Sequence, residues 1–206
     1  MSTPRDLIVL VADRNMQAIM QGLLSRSKAL RIRHVDAQIL RHPESDAGCC
    51  RRGVAYLAEF SAQYKHALLM FEYEGCGQEG NPPIVLEQQL EQAFMTTRWK
   101  DGAAVIVIQP ELEIWVWSDS PHVEDTLGWR GRTPDLRLWL EQKKHLAAHE
   151  AKPRRPKEAM EAALREVRKP RSSSIYRMLA ENVSVERCRD RAFLRLRETL
   201  HRWFSQ

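Results

Sequence analysis

The chain has 206 residues and a formal net charge of +5, with 43% hydrophobic and 29% charged residues. That balance describes a folded globular protein with room for a sizeable core and excludes a disordered chain. No apolar run approaches the roughly 20 residues needed to cross a bilayer, and the N-terminus lacks the long apolar core of a signal peptide, so a cytoplasmic protein is expected.

The first recognisable element is the apolar run LIVLVA at 7–12, which has the pattern of a fully buried strand. Met16, Ile19, Met20, Leu23 and Leu24 then mark one face of a helix. A strand is expected within 31–40, loop chemistry over 41–50 and a helix over 51–65. Another buried strand, 66–72, runs into the glycine-rich stretch FEYEGCGQEG. Pro83 suits the first turn of a helix over 83–97, and AAVIVI at 103–108 is the next strand. Residues 111–118 read as a short helix after Pro110, although a two-residue alternation is also present. This strand–helix alternation predicts an α/β fold, a mostly parallel doubly wound sheet flanked by helices.

From residue 133 onward the pattern is helical, with helices expected over 134–149, 155–168, 173–181 and 184–204. The chain is therefore expected to divide into an α/β domain, 1–132, and a basic helical region, 133–206, packed on it. Residues 151–206 hold 15 Lys and Arg against 7 Asp and Glu, whereas residues 1–150 hold 17 against 20. A basic tail beside an acidic front suits polyanion binding next to a metal site, or a charged helical exterior. Phe193, Leu196, Leu200 and Phe204 form a stripe that should dock on the core, or could join a second copy in a homodimer. Trp115, Trp117, Trp129 and Trp139 could stack bases but are better placed in the seam between sheet and helices. The four cysteines form no CxxC pair and read as reduced thiols. His145 and His149, four apart on an expected helix, read as surface residues because no third zinc ligand accompanies them.

Carboxylates fall at the ends of three strands: Asp13, then Glu72 and Glu74, then Glu111 and Glu113. In a parallel sheet these ends border one crevice. Like charges gathered there persist with a cation between them, and hard oxygen ligands select Mg²⁺ or Mn²⁺. Asp13 could equally cap the following helix. Gly75 and Gly77 would let backbone N–H groups cradle a phosphate, which also admits a nucleotide-binding sensor.

The segments LIVLVADRN, LLMFEYEGCG and PELEIWVWSD resemble the Toprim-like proteins of bacterial anti-phage defence, and more narrowly a family of methylation-associated defence systems. RPKEAMEAAL, SSSIYRMLAENV and RAFLRLRETL extend the likeness into the tail. The resemblance implies a Toprim-like sheet and Mg²⁺-dependent cleavage of phosphodiesters, with other defence proteins as partners. Glu72 and Glu74 match the family's acidic pair and Glu113 a further acid, while Asp13 stands beside the position of the first glutamate, which is Ala12 here. The pair is Glu-x-Glu where the family has Asp-x-Asp. Two readings follow. One is a metal-dependent nuclease with Asp13, Glu72, Glu74 and Glu113 as ligands and catalytic groups, and with Arg154, Arg155, Lys157, Arg168, Lys169 and Arg171 gripping nucleic acid. The other is a non-catalytic subunit that binds DNA or a partner protein.

Overall fold

The computed structural model describes residues 3–118 and 120–205. Strands β1 (Arg5–Val11), β2 (Ala37–Arg41), β3 (Tyr64–Glu72) and β4 (Ala103–Ile108) form a single all-parallel sheet in the order β2-β1-β3-β4. The chain leaves β1 towards β2 and then returns across it to β3, so the winding reverses between β1 and β3. Such a reversal opens a crevice at the carboxyl ends of the two strands.

Helices α1 (Arg14–Leu24), α2 (Ser27–Leu30), α3 (Ser45–Ala58) and α4 (Pro83–Met95) alternate with the strands. Beyond β4 come a 3-10 turn (Leu112–Trp115), α5 (Pro121–Leu127), α6 (Leu136–Gln142), α7 (Pro156–Glu166), α8 (Ser173–Asn182) and α9 (Arg191–Phe204). The α/β class and the helical C-terminus match the sequence expectation. No described helix is long and apolar enough to cross a membrane.

The boundaries differ where local chemistry overrides periodicity. Ser45–Cys50, expected as loop, is the start of α3. It begins there because the Glu44 N–H donates to His42 Nδ1 at 3.1 Å and His42 packs so close to Gly48 that a Cβ would stand 2.1 Å from Nδ1. The second strand is confined to Ala37–Arg41, since Arg31 takes a left-handed conformation (φ 57°) that ends α2. Residues 184–190 are not helical; α9 begins after Asp190, whose side chain accepts from the Phe193 N–H at 3.0 Å. Helix α5 was not foreseen. His145 and His149 lie beyond the end of α6 in turns, so they share no helix face.

The tail is part of the same core as the sheet. Helix α8 packs along α1 so closely that a Cβ on Gly22 would meet Ala180 at 2.8 Å. All four α9 stripe residues, Phe193, Leu196, Leu200 and Phe204, are buried in the chain's own core, so that face is not open to a second copy. The four tryptophans are also buried, which removes them as base-stacking platforms. Trp117 Nε1 donates to the Pro156 carbonyl at 2.9 Å and Trp115 Nε1 to Asp190 at 2.8 Å, which ties the sheet to the tail. All four cysteines are free and buried.

Strand β4 lies at the sheet edge, yet its outward backbone groups are occupied. The N–H groups of Val105 and Val107 donate to Glu91 Oε1 at 3.0 Å and Glu87 Oε1 at 2.9 Å. Their carbonyls accept from Arg195 Nε at 3.1 Å and Arg191 Nη2 at 2.8 Å. The carboxylates of α4 and the guanidiniums of α9 also pair with each other, so they replace a fifth strand and block edge-to-edge association.

Candidate functional site

The carboxylates expected at the strand ends are held by the elements that follow each strand. Asp13 leaves β1 and caps α1, accepting from the Met16 N–H at 2.8 Å. Glu72 closes β3, and its Oε1 accepts from the Leu112 N–H at 3.0 Å. Its own N–H donates to Asp46 Oδ1 at 2.7 Å, so the first turn of α3 adds a carboxylate that the loop reading of 41–50 had missed. Glu74 falls in the bend after the strand and faces solvent. Two residues apart, Glu72 and Glu74 would point to the same side only on extended backbone, which ends at Glu72.

Glu111 and Glu113 flank the start of the 3-10 turn and are 8% and 1% exposed. The tail meets both. Glu111 Oε1 accepts from the Lys157 N–H at 3.1 Å, and the Lys157 ammonium lies 3.9 Å from Oε2. Glu113 Oε1 accepts from Arg171 Nη2 at 2.7 Å and from the Tyr176 hydroxyl. Its other oxygen, Oε2, is buried without a partner. Lys152 Nζ closes the arrangement by donating to the Ile114 carbonyl at 2.7 Å.

These groups act on one another electrostatically. Burial lifts the Glu72 carboxyl to about 8, with Glu113 and Asp46 adding to the rise and the Leu112 N–H and Lys157 opposing it. Burial also raises Asp46, with Asp13 adding, and raises Glu111, with Glu113 and Glu74 adding. Asp13, Asp46, Glu72, Glu74, Glu111 and Glu113 thus form one linked set, with Lys157 opposing the rise at Asp46, Glu72 and Glu111. Part of its charge is removed by protonation and part is offset by Lys157 and Arg171.

Mg²⁺ or Mn²⁺ would need several of these oxygens to converge. As folded, the donor set does not fit. Glu72, Asp13 and Asp46 each spend an oxygen on backbone N–H groups, and Glu113 is bound by Arg171 and Tyr176. Among the described residues no three His, Cys, Asp or Glu side chains are disposed to hold an ion.

The glycine turn has the geometry expected of an anion nest, with Gly75 at φ 88° and Gly77 at φ 78°. Its anion is internal: the N–H groups of both glycines donate to Glu79 Oε1, at 2.9 and 3.1 Å. These backbone bonds, led by that from Gly77, pull the Glu79 carboxyl below its usual range.

The tail cations named from sequence lie in several environments. Arg154 pairs with Glu150, Arg155 with Glu158 at 3.0 Å, and Lys169 donates to the Thr126 carbonyl at 2.6 Å. Lys157 and Arg171 are turned into the acidic crevice, and Arg168 is exposed at the end of α7. Asp46, Tyr176 and Glu79 are the residues that sequence reasoning missed. Glu79, four residues beyond Gly75, was legible as an acid within reach of the turn.

Comparison of the chain with models of protein families, with curated proteins and with solved structures gave no match.

Proposed function

We propose that the chain is a non-catalytic Toprim-like subunit of a bacterial anti-phage defence assembly that binds nucleic acid. The observation that carries this reading is the engagement of Glu113 by Arg171 and Tyr176, with Lys157 beside Glu111. A metal-dependent phosphodiesterase would need a divalent cation to offset such acids and activate water. Here the tail supplies fixed organic cations instead, which neutralise the acids without providing an activated water. The crevice then serves to lock the tail onto the sheet and leaves the protein's basic surfaces for binding. The defence setting is supported by the resemblance of LIVLVADRN, LLMFEYEGCG and PELEIWVWSD.

The test is incubation of the purified chain with single- and double-stranded DNA and RNA in Mg²⁺ and in Mn²⁺. No cleavage above the buffer control is expected. Metal-dependent cleavage by the parent that disappears in Glu72→Ala or Glu74→Ala would overturn the reading in favour of a nuclease built on Asp13, Glu72, Glu74 and Glu113.

A further inference from the structure

A trough of about 460 Å³ opens between the α1–α2 turn, the start of α5 and the α8–α9 connection, well away in sequence from the tail cations considered above. Arg26, Lys28, Arg31, His122 and Arg187 line it, and Glu186 is the one carboxylate among its described lining residues. Arg26, Lys28 and Arg31 lie within the six residues RSKALR, and folding brings Arg187 and the His122 ring to them from two other segments. Arg26 is fixed in the wall because its Nη1 donates to the Ala180 and Val183 carbonyls at 2.9 and 2.7 Å. A guanidinium carries five N–H donors, so this leaves others for a ligand. The Lys28 ammonium has no partner among the described residues. Arg31 pairs with Glu186 at 2.6 Å, but both side chains are more than half exposed. A pair so exposed is held weakly and yields readily to a phosphate.

We infer that this trough is the surface that grips the phosphodiester backbone of a nucleic acid. The assignment rests on the binding-subunit reading and gives it a face. An open channel lined by several arginines and a lysine suits a ligand with repeated phosphates, because planar guanidinium forks match phosphate oxygens. Contacts from these cations to the backbone carry no sequence information, so binding should be strongly salt-dependent and largely indifferent to sequence.

The test measures binding of labelled single-stranded and duplex oligonucleotides over a salt series. Lys28→Gln with Arg31→Gln is expected to weaken binding about tenfold and to reduce the salt slope by about 2, close to one per lost phosphate contact. Glu186→Lys should act in the opposite direction and tighten binding, which a general loss of structure would not do. The inference is overturned if the double variant loses less than about fivefold, or if polyglutamate displaces the protein as readily as unlabelled DNA does. Metal-dependent cleavage by the parent is a separate result. It would remove the non-catalytic reading while leaving the trough to be judged by these same variants in a Glu72→Ala background.

Discussion

Glu87→Ala is expected to lower folding stability by about 3 kcal/mol or more, the cost of orphaning the partners of a buried charge. Glu87 is 0% exposed and accepts from the Val107 N–H at 2.9 Å and from Arg191 at 2.7 and 3.1 Å. Arg195 also reaches its Oε2 at 3.5 Å. Alanine would strip the β4 edge of its acceptor and leave two guanidiniums facing it without their shared carboxylate. Glu87→Gln keeps an acceptor for Val107 and loses only the charge, so about 1–3 kcal/mol is expected. At Glu91, whose side chain is 30% exposed, solvent can replace what is lost and alanine should cost about 1 kcal/mol. Urea denaturation of the three variants measures the series. A loss below about 1 kcal/mol for Glu87→Ala would contradict the role given to the edge cover.

Glu72→Gln is expected to make stability less dependent on pH between about 5 and 8. The native carboxyl titrates at about 8, above its ordinary value of 4.5. The folded state therefore binds the proton more tightly than the unfolded chain. Its contribution is intact below the unfolded value and is lost as pH rises through the folded one. Glutamine, neutral throughout, removes that loss. After allowance for partial exposure, the variant should gain roughly 2–4 kcal/mol on the parent between pH 5 and pH 8. Asp46 and Glu111 are raised by burial and keep part of the slope, while His42 and His66, pushed down by burial, act in the opposite direction. The informative quantity is thus the difference between variant and parent, read from denaturant midpoints at several pH values. Parallel pH curves would contradict the burial assigned to Glu72.

The parallel sheet was legible because the runs at 7–12, 66–72 and 103–108 are continuous and apolar, as strands covered on both faces must be. Their pairing order then placed Asp13, Glu72 and Glu113 at one end of the sheet. What the acids touch was hidden, because the partners arrive from the far end of the chain: Lys157, Arg171 and Tyr176 lie 46, 58 and 63 residues from the glutamates they meet. Asp46 was missed for a different reason. Pro43, Gly48 and the adjacent cysteines mimic a loop, and the close fit of His42 against Gly48 at the start of α3 has no signature in the sequence pattern. The edge cover of β4 left a readable trace, since Glu87 and Glu91 repeat the four-residue spacing of Arg191 and Arg195. Two helices with complementary charges at one spacing signal a paired face, although the strand between them could not be foreseen.

Diffraction from crystals grown in Mn²⁺, measured at the manganese edge, bears most directly on whether the tail has taken the cation's place. Anomalous density is expected to be absent from the space between Asp13, Glu72 and Glu113, with Arg171 and Tyr176 still bound to Glu113. A manganese peak bridging any two of those carboxylates, with Lys157 or Arg171 displaced, would contradict the non-catalytic reading.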